Sequence, residues 1–316
     1  MELALERLKI ILLAGRIIGV LTLEKLLATP ELAEVVAVVP GDNQVSEFAR
    51  SKGVHVIQSS DINSQEFVSQ VKELGTELMI NVFFLQKYRS KLLEATKFGT
   101  INVHPSKLPF YRGRDCVRWA MVNGEKEIGV TVHQMDDALD TGAIILQDSF
   151  PVDLNDNYME VFDKLKSVYP KIVVEAVQLI SSGKVQRKMQ NPAEEGTYFT
   201  HRLPEDSRIN WGDASLEIHN LIRASFEPGF YAYSTLEGKK IFITEAGLKP
   251  HSPYETLKMG SSQRQGRVLD YDPSDPKSSV LVGTADGVIS VKKCILEGTQ
   301  ESVKATSILK RGNRLV

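Results

Sequence analysis

The feature that most constrains the fold is a regular alternation of short apolar runs with segments of helical spacing, which continues up to Ile180. Parallel strands need crossover connections, usually helices, so this alternation predicts an α/β fold with a Rossmann-like, doubly wound and mostly parallel sheet. The predicted strands are residues 9–14, 35–39, 54–57, 78–84, 100–104, 130–134 and 143–150. The predicted helices are residues 16–28, 45–52, 64–74 and 159–180.

The remainder of the chain has a different composition. Residues 182–206 contain Gly183, Pro192, Gly196 and Pro204, which is typical of a connection between domains. Beyond it, one helix at residues 215–224 is followed by short β runs at 240–244, 266–271, 279–283 and 287–292. We therefore predict a catalytic domain at 1–183, a linker at 184–204 and a smaller β-rich, barrel-like domain at 205–316.

Composition and charge narrow the function. The chain has 316 residues, 42% hydrophobic and 25% charged, with a net charge of -2 spread along its length, so we expect a soluble protein without a large nucleic-acid footprint. The two cysteines, Cys116 and Cys294, lie far apart, which favours reduced thiols over a disulfide. No spacing typical of a metal site occurs. The apolar run at residues 10–13 is too short for a membrane span or a signal segment. We expect a cytoplasmic protein with no metal and no membrane contact.

A partial glycine pattern, Gly15 and Gly19, lies between the first predicted strand and helix. It lacks the full set of glycines of a dinucleotide fingerprint, so it indicates a tight turn and not a dehydrogenase.

The segment richest in chemistry begins at the strand that ends in Asn102-Val103-His104. Residues two apart on a strand share one face, and ligands of open α/β sheets bind at the carboxyl ends of the strands. An amide donor for an oxyanion beside an imidazole that exchanges protons near neutral pH suits acyl transfer. A carboxylate would then set the tautomer of the imidazole, and the Asp136, Asp137 and Asp140 loop supplies three candidates.

These residues carry a resemblance to a known family. Asn102-Val103-His104-Pro105-Ser106-Lys107-Leu108-Pro109, with Tyr111-Arg112-Gly113 and Leu139-Asp140-Thr141-Gly142, resembles the motif of the folate-dependent formyltransferases, and residues 204–211 resemble the start of that family's C-terminal domain. The resemblance implies 10-formyltetrahydrofolate as formyl donor and a catalytic set of Asn102, His104 and Asp140. It also implies a folate site formed largely by backbone at Phe84, Leu85, Gln86, Lys87, Asp136 and Asp137.

The acceptor amine is less constrained. In the family's tRNA enzymes, the loop after the second strand carries a long basic insertion, whereas residues 40–44 here are short and acidic. Because basic side chains carry most non-specific RNA affinity, a tRNA partner is disfavoured, although it stays possible. We prefer a small-molecule amine, such as an amino-sugar nucleotide or hydroxyornithine. The predicted acceptor-binding residues are Pro109, Tyr111, Arg112, Gly113 and Arg114, with Arg112 and Arg114 clamping a diphosphate or carboxylate.

Three further points stay open. Lys107 stands where the family usually has leucine, and it is either a solvated loop lysine or a contact to a phosphate or carboxylate. A 10-formyltetrahydrofolate hydrolase, in which water replaces the amine, and a non-catalytic folate-binding protein are alternative functions. The oligomeric state is a monomer or a homodimer.

Overall fold

A computed structural model describes residues 7–193, 195–226, 230–249 and 260–316. Its first sheet has six strands in the order β2-β1-β3-β4-β6-β7, and the first four are mutually parallel. Strands β6 and β7 extend this sheet in the antiparallel sense beyond β4. The strands are β1 (Leu8–Ala14), β2 (Ala33–Pro40), β3 (Leu78–Val82), β4 (Thr100–His104), β6 (Glu127–Gln134) and β7 (Ile144–Pro151).

Helices separate the strands and bury the sheet, as the alternation predicts. They are α1 (Arg16–Leu27), α2 (Asn43–Ser51), α3 (Gln65–Glu73), α4 (Ser90–Leu93), α5 (Cys116–Val122) and α6 (Tyr158–Ser181). Every residue of β3 is buried, and α3 packs against one face of the sheet, with Phe67 and Val71 in a cluster with Ile11, Leu13 and Met79. A strand buried in this way reads as a continuous apolar run, which is why its sequence identifies it.

One predicted strand does not form. Residues 54–57 make a single bridge, between Val56 and Val38 of β2, and no longer ladder. Ile57 is the one buried residue of this segment, and His55 is exposed, so the segment contributes too little apolar surface to be held as a full edge strand.

Strands β9 to β14 form a second, antiparallel sheet in the order β11-β12-β13-β10-β9, with β14 paired to β13. They are β9 (Ala232–Leu236), β10 (Lys239–Leu248), β11 (Val268–Tyr271), β12 (Val280–Gly283), β13 (Val288–Leu296) and β14 (Val303–Lys304). Near the end of the chain, Arg314 bridges Arg267 and Leu315 bridges Leu236, so this segment joins the β11 edge to the β9 edge. The predicted β-rich, barrel-like architecture is confirmed.

Three short helices and α7 accompany this second sheet. They are a 3-10 helix (Pro204–Ser207), α7 (Ser215–Ala224), α8 (Ser261–Arg264) and α9 (Ala305–Ile308). Trp211, Ile218 and Ile222 bring the entry segment and α7 into one apolar core with residues of the sheet, such as Ile241 and Ile289.

Contacts divide the chain into two compact units. Unit 1 comprises Met1–Cys116, Glu127–Pro151 and Phe162–Phe199, and unit 2 comprises Val117–Lys126, Val152–Val161 and Thr200–Val316. Unit 1 also contains a two-stranded sheet in which β5 (Arg112–Gly113) pairs with β8 (Tyr198–Phe199). Among the helices of the described residues, none is both long and apolar enough to cross a membrane.

The connection between β2 and α2 depends on Asp42. Its carboxylate accepts hydrogen bonds from the backbone N–H of Val45, at 3.1 Å, and from that of Arg16 at the start of α1. It therefore caps α2 and ties the first turns of two helices together. We expect Asp42→Ala to lower the free energy of unfolding of the chain by about 1–2 kcal/mol, the usual cost of losing such a cap. Urea denaturation measures the change, and Glu47→Ala, an exposed position on α2, is the control, with an effect within about 0.5 kcal/mol.

Candidate active site

Asn102 lies at the centre of the first sheet, where three strands meet. It is directly opposite Asn81 of β3 on one side and His133 of β6 on the other. Asn81 Nδ2 donates to Asn102 Oδ1 at 2.9 Å, which turns the Asn102 amide nitrogen towards His133 Nε2, at 3.1 Å. His133 Nδ1 lies 2.8 Å from the carbonyl of Gln134, so its hydrogen is on Nδ1 and Nε2 accepts from Asn102. The amide of Asn102 is thus held in one orientation by its two neighbouring strands.

His104 follows on the same face of β4 and is almost completely buried. Its Nε2 lies 2.8 Å from the carbonyl oxygen of Tyr111, and because a carbonyl only accepts, Nε2 carries the hydrogen. Its other ring nitrogen, Nδ1, lies 3.5 Å from Asp140 Oδ2. The nitrogen that is free to take up a proton therefore faces a carboxylate.

Asp140 lies on the loop between β6 and β7 and has a backbone φ of 58°, in the left-handed region. Its Oδ2 accepts the backbone N–H of Gly113 at 2.9 Å. Its Oδ1 lies 3.5 Å from Asn102 Nδ2 and 3.6 Å from His133 Nε2. The structure thus brings Asn102, His104 and Asp140 together, around one buried carboxylate.

The environment keeps the carboxyl group of Asp140 ionised and the imidazole of His104 neutral. Burial would raise the pKa of Asp140, but the charge that His104 carries when it is protonated, the nearby ring of His133 and the hydrogen bond from Gly113 outweigh burial and lower it to about 2. Burial lowers the pKa of His104 below its ordinary value of 6.5, and the nearby Asp140 and the Tyr111 carbonyl oppose this only in part. At neutral pH the site therefore holds an ionised carboxylate beside a neutral imidazole, which is the state of a general base.

Two side chains of this cluster, Asn81 and His133, are absent from the sequence-based prediction. Both lie on strands that the apolar pattern identifies, at residues 78–84 and 130–134. Asn81 was detectable as a polar residue inside an apolar run. His133 joins the site only because β6 pairs with β4 in antiparallel register, which the local sequence does not specify.

Of the two segments predicted to hold the folate, the second is attached to α4, which follows the first, because Ser90 donates to Asp137 Oδ1 at 3.0 Å. Side chains in these segments are engaged within the chain. Gln86 Oε1 accepts the N–H of Ile62, at 3.2 Å, and Asp136 accepts from the Thr141 hydroxyl at 2.7 Å.

Apolar surface is left open on both segments. Leu85 and Leu139 are 75% and 58% exposed, whereas Phe84 is buried. The carbonyl of Lys87 accepts a hydrogen bond from the Asn63 side chain at 2.8 Å. Leu85 and Leu139 therefore offer apolar surface close to polar side chains that are already hydrogen-bonded within the chain.

The residues predicted to bind the acceptor differ in exposure. Arg114 is exposed, whereas the Tyr111 ring stacks on Phe199, with centroids 4.9 Å apart. Arg112 has no exposed surface, and its guanidinium donates to the carbonyls of Asp140 and Glu195 and to the side chain of Gln190.

Two other predicted acceptor-binding residues, Pro109 and Gly113, contact the backbone of residues 197–199. The Pro109 carbonyl accepts the N–H of Thr197 at 3.3 Å, and Gly113 pairs with Phe199 in the β5–β8 sheet. Lys107 makes an exposed ion pair with Glu127, with 2.9 Å between Nζ and Oε1.

Cys116 lies close to this site, but its thiol is unreactive. Burial, and then the negative charge of Asp140, raise the pKa of its thiol far above the ordinary range. The thiol therefore stays protonated and is a poor nucleophile. Among the residues that the structure describes, no group of three or more His, Cys, Asp or Glu side chains is arranged to hold a metal ion.

The structure is an α/β fold with a buried Asn-His-Asp cluster at the strand ends, and comparison of the sequence with known families identifies the family. The Formyl transferase family profile matches residues 13–177, and the profile of its C-terminal domain matches residues 203–312. The chain belongs to the formyl transferase family.

Individual relatives and structures agree with this assignment. The chain is similar to methionyl-tRNA formyltransferase of Geobacter metallireducens, 30% identical over 256 residues that cover 80% of this chain and 76% of the relative. It is also similar to that of Caldanaerobacter subterraneus, 34% identical over 208 residues, 66% of this chain and 67% of the relative.

Two solved structures share its fold. WlaRD, a sugar 3N-formyl transferase, gives a TM-score of 0.65 at 21% identity, covering 93% of this chain and 100% of its own. The N-formyltransferase of Helicobacter canadensis gives 0.65 at 21% identity, covering 90% and 99%.

The charge state of the site is testable without a ligand. Asp140 raises the pKa of His104, so Asp140→Asn removes this contribution and we expect the pKa of His104 to fall further below 6.5. The titration is followed by NMR of labelled histidine, with the His104 resonance assigned from His104→Asn. A His104 pKa that stays unchanged or rises in Asp140→Asn would show that the two groups are not electrostatically coupled.

Proposed function

We propose that this formyl transferase family member moves a formyl group from 10-formyltetrahydrofolate to the primary amine of a small molecule, such as an amino-sugar nucleotide. The observation that carries the proposal is the buried contact between His104 Nδ1 and Asp140, with the Asn102 amide held beside it. This arrangement supplies three groups that formyl transfer to nitrogen uses: a hydrogen-bond donor for the oxyanion, a proton acceptor and a fixed negative charge.

Each of the three residues has a defined role in this proposal. Asn102 donates from Nδ2 to the formyl oxygen as negative charge develops there when the amine nitrogen bonds to the formyl carbon. His104 takes the proton that the attacking amine must lose, at Nδ1, and returns a proton to the folate nitrogen as the bond between that nitrogen and the formyl carbon breaks. Asp140 stabilises the imidazolium between these two transfers, because its carboxylate faces the protonated nitrogen.

We assign the formyl donor to the surface between residues 84–87 and residues 136–137. Backbone groups of Phe84, Leu85, Gln86 and Lys87 would hold the polar edge of the pterin ring on one side. Asp136 and Asp137 flank it on the other, where the Ser90 to Asp137 hydrogen bond keeps the two loops together. The exposed leucines, Leu85 and Leu139, supply apolar contact for the ring.

The preference for a small acceptor rests on the connection between β2 and α2. Only Gly41 and Asp42 separate the two elements, and Asp42 closes the connection by capping α2. This leaves no room there for the long basic insertion of the family's tRNA enzymes, and the net charge of -2 adds no general attraction for RNA. Exposed Arg114 is the candidate for an acidic group of the acceptor.

Methionyl-tRNA is the second candidate acceptor, and the curated relatives favour it. Proteins named methionyl-tRNA formyltransferase match most of this chain at 30–31% identity over 80–86% of its length. The two candidates predict different dependence on salt. A tRNA acceptor would be held by contacts to phosphates and would weaken steeply as salt increases, whereas a small acceptor with one or two charges would weaken little.

A direct assay separates the candidates. The protein is incubated with 10-formyltetrahydrofolate and, in parallel, with methionyl-tRNA, an amino-sugar nucleotide, hydroxyornithine or no acceptor. Released tetrahydrofolate and acceptor mass are then measured. We expect formylation of a small amine and little release without it. Formylated methionyl-tRNA would overturn the acceptor preference, release that needs no acceptor would indicate a hydrolase, and no release in any mixture would contradict formyl transfer.

The roles of the three site residues make a further prediction. We expect Asn102→Ala to lower kcat about 10²–10³-fold, the usual cost of removing one oxyanion donor, while circular dichroism stays that of the wild-type protein. Asn102→Asp, which keeps the shape and loses the donor, should be as slow. A variant that retains near-normal kcat would remove Asn102 from the mechanism.

A further inference from the structure

The segment that follows α6 is attached to the active site at several points. Ile144, at the start of β7, and Lys188 exchange both backbone hydrogen bonds, at 2.8 and 2.9 Å. Ten residues further on, β8 pairs with β5, next to the catalytic loop. Between these two attachments lies Gln190, which is only 8% exposed. The composition of this segment predicts a linker, yet residues 188–199 are hydrogen-bonded to other strands of unit 1 at both ends.

Both polar ends of the Gln190 side chain are fully used. Nε2 donates to the carbonyls of Asp140, at 3.1 Å, and Gly142, at 2.7 Å. Oε1 accepts from Arg112, at 2.7 Å from Nη2 and 3.2 Å from Nε. Arg112 Nε also lies 3.2 Å from the Asp140 carbonyl. One amide thus ties the loop that carries Asp140 to the arginine that follows Tyr111.

The backbone at Asp140 needs such support. A non-glycine residue in the left-handed region is held there only when its surroundings determine its conformation. Because the Asp140 carbonyl receives donors from both Gln190 and Arg112, the peptide that follows Asp140 is fixed in orientation. The carboxylate of the same residue contacts Gly113 N, at 2.9 Å, and His104 Nδ1, at 3.5 Å.

We propose that Gln190 is a positioning residue for the reaction, which holds the Asp140 loop so that the carboxylate stays against His104. This inference rests on the proposed function for its catalytic consequence, but its geometric part is independent of any substrate. Gln190 touches none of the reacting groups, so it acts through Asp140.

The first part of the test measures the pKa of His104 in the protein without a ligand. In Gln190→Met, which keeps the volume and removes both amide donors, the Asp140 carboxylate loses its fixed distance to His104. The groups that act on His104 are Asp140, which raises its pKa, and His133 and Arg112, which lower it. We therefore expect the His104 pKa, measured by histidine NMR, to fall as it does in Asp140→Asn. Gln190→Asn, with the same amide on a shorter chain, should shift it less.

The second arm measures kcat and the KM for 10-formyltetrahydrofolate, with the acceptor that the wild-type protein formylates. We expect Gln190→Met to lower kcat about 10- to 100-fold, since misplacing a catalytic group by about 1 Å costs on that order. The KM for the donor should stay within about twofold, because Gln190 lies behind Asp140 and not in the folate surface. Gln190→Asn should recover part of kcat.

Gln147→Met is the matched control. Its amide also donates twice, to the Leu108 carbonyl at 2.8 Å and to the Thr131 hydroxyl at 2.9 Å, without touching Asp140. It should leave the His104 pKa at the wild-type value. The proposal is overturned if Gln190→Met leaves the His104 pKa unchanged, or if Gln147→Met shifts it equally. If the wild-type protein formylates no acceptor, only the proposed function is contradicted, because the NMR comparison still tests whether Gln190 positions Asp140.

Discussion

Burial of the Asp140 carboxylate is the constraint on which the site depends. A buried charge is costly unless hydrogen bonds and opposite charge compensate it, and the compensation here comes from distant parts of the chain. The backbone of Gly113 supplies an N–H, Asn102 of β4 supplies an amide donor, and the rings of His104 and His133 lie within 3.6 Å and oppose the negative charge when they are protonated. The order of strands in the first sheet, with β6 added antiparallel beside β4, is what brings these groups to one point.

Burial explains why the imidazole is neutral, and the same carboxylate explains how it can still become protonated during a reaction. Desolvation is the main influence that favours the uncharged ring, which makes His104 able to accept a proton at neutral pH. Asp140 limits the cost of the charge that then forms, so the proton is accepted where it can be stabilised. Around this pair, Asp140 has a left-handed backbone, and its carbonyl accepts hydrogen bonds from the buried Arg112 and from Gln190.

Sequence reasoning predicted the alternating fold, the second β-rich sheet and the shared face of Asn102 and His104, because strand periodicity and strand ends are local properties. The choice of Asp140 among the three aspartates of its loop came from the resemblance to the formyltransferase motif. It did not predict Asn81, His133 or Gln190, whose roles depend on which strands become neighbours and on long-range loop contacts. Gln190 illustrates the limit, since glycine and proline around it indicate irregular backbone but not what that backbone touches. For Arg112, a motif arginine next to a predicted ligand site is indistinguishable in sequence from one that is buried and bonded within the chain.

The pH dependence of kcat/KM for 10-formyltetrahydrofolate, at saturating acceptor, tests the central claim most directly. If neutral His104 is the general base beside ionised Asp140, the rate is constant near neutral pH. It then falls on the acid side, with a midpoint below 6.5 at the pH where His104 itself becomes protonated. A rate that rises as the pH falls through this range would make the imidazolium the active form and would contradict the account.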